Sequence, residues 1–402
     1  MVPVVVVGGT LNALGVVRSL AGGGLPIYLA VHTRWHTAAW SRYCHVVRIP
    51  ASKDHDLVDG LIELSSKIGE PAVLILTEEK DVQTVSKYYT ELEARFHISL
   101  PPSDVIQTLA DKTLFHEFAE REGLPVPRTI SIHGVADLLL LQALKPPVIV
   151  KPFNYQLVSN RGVKRAERAD TNEKARAIVA EMLEGARGVV VQEWIDGEDS
   201  DIFFTLFTCD SNSRMTAVFT GQKLISQPRG VGITAVCTTA GETGIDLVKL
   251  TQRFVELVHY KGLGSLEFKR DRKTGRFIII EPTVGRTDWQ EEIATLSGVN
   301  IPLAAYWTEL GRPFPQPPNE LAQVAWRSSI RHRLPAGALP RGTKIVDGHF
   351  RLSDPMPALY HYAIEQFIGP IKKRAGYFFS WCADFVGSSK PTSTVETKHT
   401  NK

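Results

Sequence analysis

Residues 2–7, Val-Pro-Val-Val-Val-Val, form a continuous apolar run that Gly8-Gly9-Thr10 ends. Leu11, Leu14, Val17 and Leu20 then recur at helical spacing up to Gly22-Gly23-Gly24, and Pro26 to Val31 is a second apolar run. Short apolar runs joined through an amphipathic helix predict a parallel sheet with both faces covered. Residues 46–50, 72–76 and 97–100 read as further strands, with helices over 54–68 and 81–96. Residues 1–105 are thereby predicted to be one Rossmann-like α/β domain. Glycine at the first strand-to-helix turn would let a ligand approach the helix N-terminus. The spacing is not G-x-G-x-x-G, however, and no acid follows the second strand at Ala30-Val31-His32, so a dinucleotide is not expected. An NAD-dependent oxidoreductase would rest on Gly8-Gly9 alone. Thr77-Glu78-Glu79 sits past a strand's carboxyl end, where open α/β sheets bind ligands, although a helix N-cap explains Thr77 equally well.

From Ser103 the pattern changes. Leu109, Leu114, Phe115 and Phe118 predict an amphipathic helix that Gly123-Leu124-Pro125 stops, with Asp111-Lys112 interrupting its apolar face. Val148-Ile149-Val150-Lys151-Pro152 is a short buried-type strand ending in a lysine, a point charge suited to phosphate. Ser159 to Val163, with Gly162, could fold over a phosphate or be a plain hairpin turn. Gly188 to Gln192 is another strand, running into Glu193-Trp194-Ile195-Asp196-Gly197-Glu198.

Gly264 to Arg286 predicts a hairpin: an apolar strand, a charged turn at Asp271 to Gly275, and a second strand through Phe277 to Ile280. A turn centred near Thr274 sets Glu267 opposite Glu281. Like charges placed there are destabilising unless something offsets them. A divalent cation would do so, and carboxylates plus nucleotide phosphates are a usual Mg²⁺ ligand set. Thr283 shares a face with Glu281, and Arg286 follows at the strand's end. The alternative is a register slipped by one residue and a solvated face on which Lys269 neutralises Glu267.

The 402 residues are 43% hydrophobic and 22% charged, which predicts a globular chain of two or three lobes. A net charge of +3 gives no electrostatic case for nucleic acid. Four scattered cysteines (Cys44, Cys209, Cys237, Cys382) lack metal-ligand spacing and point to a reducing compartment. No apolar run is long enough for a membrane span and no leader pattern opens the chain, so a cytoplasmic location is expected.

Taken in order, Leu109-Ala-Asp-Lys112, Val148-Ile-Val-Lys-Pro152, Gln192-Glu-Trp-Ile-Asp-Gly-Glu-Asp199 and Glu281-Pro-Thr-Val-Gly-Arg286 resemble the motif series of the ATP-grasp superfamily. The resemblance implies an ATP-grasp fold, α/β and α+β, behind the Rossmann-like domain. The small lobe would span 106–190 and the large lobe 191–310, followed by a C-terminal cap over 311–387 and a disordered tail over 388–402. It implies that Lys112 and Lys151 contact phosphates of ATP beneath a lid holding Gly162. Glu193, Trp194 and Ile195 would face adenine, Glu198 or Asp201 would hold ribose, and Glu267 and Glu281, with Thr283, would bind Mg²⁺ (or Mn²⁺). Residues 220–232 are similar to a segment of the carboxylate-amine ligase branch, D-aspartate ligase-like enzymes among them, as is the N-terminal pattern from Gly8-Gly9 to Tyr43. That likeness implies Lys223 near the γ-phosphate and Arg229 near the acceptor carboxylate, with Arg286 stabilising the tetrahedral oxyanion. A surface turn is the plainer reading of Arg229-Gly230.

Two departures stand out. Thr283 replaces the family's metal-site asparagine with a shorter ligand, and Arg286 lies one residue beyond the usual spacing; the lid also lacks a triple glycine. The implied reaction joins a small-molecule carboxylate to an amine through an acylphosphate, releasing ADP and phosphate, with an amino acid and a cell-envelope or peptide precursor among the substrates. Another ATP-grasp synthetase or carboxylase, or a nucleotide-binding regulatory protein without turnover, are the alternatives. Gln290 or Glu291 could contact an amine, though a solvated helix face explains them too. The basic and aromatic residues beyond 311 could cap the acceptor site, touch an anionic carrier or touch a membrane surface; plain packing, including a helix over 357–368, is the reading preferred here. A homodimer is compatible with all of this.

Overall fold

A computed structural model describes residues 1–49, 54–153, 164–314, 318, 320–335 and 337–365 of the chain. Gly162, the rest of the lid segment 159–163 and the tail 388–402 lie outside the described residues.

Five parallel strands build the first domain: β1 (Val4–Val7), β2 (Ile27–Val31), β3 (His45–Arg48), β4 (Ala72–Leu76) and β5 (Phe96–Ile98), in the order β3-β2-β1-β4-β5. The four valines of β1 are fully buried because the central strand is covered on both faces, which explains its uninterrupted apolar run. Helices α1 (Leu11–Ala21) and α2 (Asp54–Ile68) form as the spacing predicts. The helix expected over 81–96 is instead α3 (Glu79–Lys87) and α4 (Tyr89–Leu92), because Tyr88 leaves helical geometry.

Gly8 has φ +122°, and a Cβ there would lie 2.1 Å from Thr77 Oγ1. The Gly9 amide donates to Glu78 Oε1 at 3.3 Å, and the His36 ring packs over Gly9. The concavity that would take a dinucleotide's pyrophosphate is thus filled by the protein's own carboxylate. Thr77 is not a helix cap: its hydroxyl donates to Val7 O at 2.7 Å and ties β4 to β1.

The amphipathic helix expected through Leu109, Leu114, Phe115 and Phe118 is two, α5 (Ser103–Ala110) and α6 (Lys112–Arg121). Asp111 interrupts them as the N-cap of α6, accepting from the amides of Thr113 and Leu114 at 2.8 and 3.0 Å. The small lobe is an antiparallel sheet in the order β6-β9-β7-β8, from β6 (Thr129–Ile132), β7 (Val148–Pro152), β8 (Glu167–Ala169) and β9 (Val189–Glu193), with helix Asn172–Gly185 against it. Along β7, Val148 and Val150 enter that core, so alternation turns Ile149 and Lys151 to the opposite face.

The large lobe is a seven-stranded sheet, β14-β13-β10-β11-β12-β15-β16. Its strands are β10 (Ile202–Cys209), β11 (Met215–Gln227), β12 (Ile233–Thr239), β13 (Gly262–Arg270), β14 (Phe277–Val284), β15 (Val324–Arg327) and β16 (Lys344–Asp347). The boundary expected at 310 is therefore too early: β15 pairs with β12 and extends the same sheet. In the C-terminal region Trp326 is 1% exposed whereas Leu352 and Leu359 are 89% and 56% exposed. Of the helix expected over 357–368, one turn, Met356–Leu359, is continued as a π-helix over Tyr360–Glu365, and 366–368 lie outside the described residues. Asn12 Nδ2 donates to Thr77 O at 3.1 Å within the first domain and, across to the large lobe, to Thr287 O at 2.8 Å, both buried.

Candidate active site

A cleft of about 1120 Å³ runs between the lobes, large for a small-molecule site. Its walls carry Lys112 from α6, Lys151 from β7, Lys223 from β11, the β13–β14 hairpin, and Glu79 and Gln83 of α3. Asp111 opens α6 at Lys112, so the cap sets where that ammonium enters the cleft.

Glu267 pairs directly with Glu281, as the hairpin reading requires. The route differs by half a step: the turn-side pairs, Arg270 with Phe277 and Phe268 with Ile279, centre the hairpin slightly earlier, and an irregularity at Ile280 restores the opposition. The two acids are offset by lysines, Lys223 Nζ against Glu267 Oε2 and Lys112 Nζ 3.7 Å from Glu281 Oε1. Lys112, then Lys151, Arg165 and Lys223, hold the Glu281 carboxyl down to about 2 against the opposing effect of burial. Lys269 makes no ion pair with Glu267 within 4 Å and acts on it only at longer range; its ammonium lies 4.6 Å from the Trp194 ring centroid.

Lys151 Nζ donates to Gln192 Oε1 at 2.9 Å, and burial lowers its pKa to about 8, with Lys112 acting in the same sense. The Gln192 amide is held in turn by His116 Nε2 and by Thr129 Oγ1 at 3.1 Å. Burial first, then Lys151 and Lys112, bring the His116 pKa to about 4. A neutral imidazole at that position accepts from Gln192 Nε2, which leaves Gln192 Oε1 aimed at the lysine. Neither His116 nor this use of Gln192 is visible in sequence, since they are 76 positions apart.

The hinge residues Glu193, Trp194 and Ile195 line the cleft with Ile149 and Ile202. The two ribose candidates are elsewhere, which corrects the expectation for both. Asp201 is 3% exposed and is not part of the wall; burial pushes its pKa up, but the Glu198 amide, Arg270 and Arg272 outweigh it and hold the carboxylate ionised. Arg272 Nε donates to Asp201 Oδ2 at 2.6 Å, so the acid ties the hinge to the hairpin turn. Glu198 is exposed, off the wall and 3.3 Å from Arg272.

Asp199, which the sequence reading passed over, accepts the amides of Ser226 and Gly230 at 2.8 Å each. It pins a turn that presents Gly230 to Thr234 to the cleft and turns Arg229 out to solvent, away from the catalytic place expected for it. Arg286 does line the cleft. Thr283 is on the wall too, but its hydroxyl donates to Asp288 Oδ1 at 2.8 Å, which changes the metal-ligand role expected of it. Gln290 lines the cleft, whereas Glu291 faces away into the α1 interface, within 3.3 Å of Ser19 Oγ.

The fold is the ATP-grasp fold. N5-carboxyaminoimidazole synthetase from Staphylococcus aureus, solved with ADP, superposes with a TM-score of 0.61 at 13% identity over 78% of each chain. L-amino acid ligase from Bacillus licheniformis gives 0.58 at 16% identity, covering 79% of this chain and 75% of its own. The biotin carboxylase domain of Hydrogenobacter thermophilus 2-oxoglutarate carboxylase, solved with MgADP, ADP and bicarbonate, gives 0.60 at 15% identity, covering 80% and 72%. In sequence the chain is similar to D-aspartate ligase of Enterococcus faecium (strain Aus0004), 23% identical over 326 residues, 76% of this chain and 75% of that one. The resemblance drawn from the motif series is thereby met. No family model matches the chain. Among the described residues, no helix is long and apolar enough to cross a membrane.

Proposed function

We propose that the chain is an ATP-dependent carboxylate-amine ligase that forms an amide through an acylphosphate and releases ADP and phosphate. The observation that carries this reading is the convergence of Lys112, Lys151 and Lys223 with the opposed pair Glu267 and Glu281 on one cleft wall system. Three ammonium groups against two carboxylates leave a positive excess suited to a polyphosphate. The hinge end, with Ile149, Trp194 and Ile202, is the apolar end and takes the base.

Glu267 and Glu281 would hold Mg²⁺, or Mn²⁺ as a substitute: two all-oxygen donors directly across a hairpin fit a hard cation that keeps its other sites for phosphate and water. Bound there, the ion would neutralise charge on the phosphates. Lys112 and Lys223 each pair with a cleft-lining acid, and rotation about their stems would bring them onto phosphate oxygens. Lys151, held by Gln192, fixes a third oxygen.

A carboxylate oxygen of the substrate attacks the γ-phosphorus as its bond to the ADP oxygen breaks. Lys223 and Arg286 face the charge that develops, which is where such catalysis is mostly electrostatic. The amine nitrogen then attacks the acyl carbon. The carbon–oxygen bond to phosphate breaks, and the protons shed by the nitrogen leave with phosphate and solvent. By likeness to D-aspartate ligase and L-amino acid ligase, an amino acid is the first substrate class to test, with a cell-envelope or peptide precursor as its partner. Cys44, Cys209 and Cys237 are free, in keeping with the cytoplasm.

The test is phosphate and ADP release measured across a panel of L- and D-amino acids with Mg²⁺, in the native chain and in Glu281→Gln. The expected result is amine-dependent release that the substitution lowers by about 100-fold or more. Nucleotide binding without release under every condition would replace this reading with a nucleotide-binding regulatory protein.

A further inference from the structure

The cleft-facing side of the hairpin has two adjacent rungs. Glu267 and Glu281 form one; Ser265 and Thr283, directly paired, form the next. Same-face neighbours along a strand are about 7 Å apart. The hydroxyl rung grips a single carboxylate: Thr283 Oγ1 donates to Asp288 Oδ1 and Ser265 Oγ to Asp288 Oδ2, each at 2.8 Å. Asp288 lines the cleft, two residues beyond Arg286. The neighbouring Trp289 Nε1 donates to Thr234 O at 3.0 Å, which joins this turn to the loop that Asp199 pins.

The two rungs differ in how their charge is met. Glu267 and Glu281 each have a lysine within 4 Å, whereas Asp288 has no ion-pair partner among the described residues. Two hydroxyl donors orient its oxygens without cancelling its charge, and each oxygen keeps a lone-pair direction for another donor. A carboxylate held by two hydroxyls, with no ion pair of its own and facing the cleft, is a place for a ligand's cationic donor. Among the described residues, no group of three or more acidic, histidine or cysteine side chains could hold a metal ion, and that weighs against Asp288 completing a cage with the acid rung.

We propose that Asp288, held by Ser265 and Thr283, binds the ammonium group of the amine substrate, which is therefore a primary amine charged at neutral pH. This rests on the ligase reading above. One rung from the acid pair, a nitrogen held by Asp288 lies close to an acyl group whose phosphate is on Lys223 and Arg286. Asp288 binds and orients the ammonium; the nitrogen must lose a proton to phosphate or solvent before its lone pair attacks. Thr283 is accounted for on the same terms, as the hydroxyl that aims Asp288.

The experiment compares two nucleophiles in the native chain and in Asp288→Asn, with the carboxylate that gives ATP-dependent phosphate release in the amino-acid panel. Hydroxylamine is uncharged near pH 7 and traps an acylphosphate as a hydroxamate without needing an anionic subsite. In Asp288→Asn the amino-acid amine should lose about 30-fold or more in KM, as for a lost hydrogen bond to a charged group. Hydroxamate formation, the KM for ATP and the Mg²⁺ dependence should stay within about twofold, below the effect of one such bond. Thr283→Val, which keeps the acid but loosens it, should shift the amine KM in the same direction by less. An unchanged amine KM in Asp288→Asn with native hydroxamate formation overturns the subsite and leaves the ligase standing. A shifted Mg²⁺ dependence of hydroxamate formation overturns it in favour of a metal ligand. Absence of hydroxamate in the native chain removes the ligase reading itself and the subsite with it.

Discussion

Two of the clusters that gather arginine or lysine with carboxylates do opposite things. In the clamp between α1 and residues 347–354, Arg18 Nε lies 3.0 Å from Asp354 Oδ2, and Arg18 also donates to Gly348 O and His349 O at 2.8 Å each. Arg351 reaches Glu292 at 2.7 Å, and Asp354 takes further bonds from Ser41 Oγ at 2.9 Å and the Arg42 amide at 3.0 Å. The Arg18 and Asp354 side chains are 5% and 1% exposed. In the cleft, Lys112 and Glu281 keep 28% and 44% of their side-chain surface and stand 3.7 Å apart. Enclosed, multiply bonded charges have one arrangement; open ones with a single long contact can exchange a carboxylate for a phosphate. Burial and the number of partners separate the Arg18–Asp354 staple from the Lys112–Glu281 pair, because removing water from a charge makes each lost partner costly.

Substitutions should divide along that line. Asp354→Asn takes from the buried Arg18 its nearer anion, leaving Glu292 at 3.8 Å, and should cost about 3 kcal/mol in denaturant unfolding, with turnover per folded molecule unchanged. Glu281→Gln should do the reverse in activity, removing Mg²⁺-dependent ADP release, and should cost less stability than Asp354→Asn because the Glu281 side chain keeps 44% of its surface. If both variants lose stability equally, the contrast fails.

A smaller effect concerns pH. Burial and the Lys112 charge set Lys151 near 8, so its ammonium is lost as pH rises through that value and the KM for ATP should climb by up to about tenfold per unit above it. Lys151→Arg, with a cation that does not titrate there, should flatten the profile.

A second effect of pH lies beside the clamp. Burial, then the charge of Glu292, raise the Glu291 carboxyl to about 8 against bonds from Ser19 and Thr295. A carboxyl raised above its unfolded value of 4.5 contributes stability that is whole below that value and is lost as pH rises toward 8. Denaturant midpoints should therefore fall from pH 5 to 8, and less so in Glu291→Gln.

Much of the architecture was legible along the chain because it depends on local periods. The buried runs of β1 and β4, the alternation that puts Ile149 and Lys151 on one face, and the opposition of Glu267 and Glu281 all follow from strand geometry over a few residues. The break at Asp111 was visible as an interruption, but its use as a cap was not read from it. The ribose candidates misled because adjacency to a hinge says nothing about which side chain turns inward; Asp201 met Arg270 and Arg272, some 70 positions later.

Sequence by itself determined the element types, the order of the motifs and the fold they resemble, since hydrophobic period and turn chemistry act between near neighbours. Tertiary structure alone decided which charges meet. Asn12 reaches Thr287 across 275 positions, Arg18 reaches Asp354 across 336, and Asp199 reaches Gly230 across a strand pair. Asp288 looked like any polar residue after a strand until Ser265 and Thr283 closed on it, and that meeting exists only once the hairpin has paired. Partner choice among charges depends on distance and exclusion of water, and neither is set until the lobes have closed around the cleft.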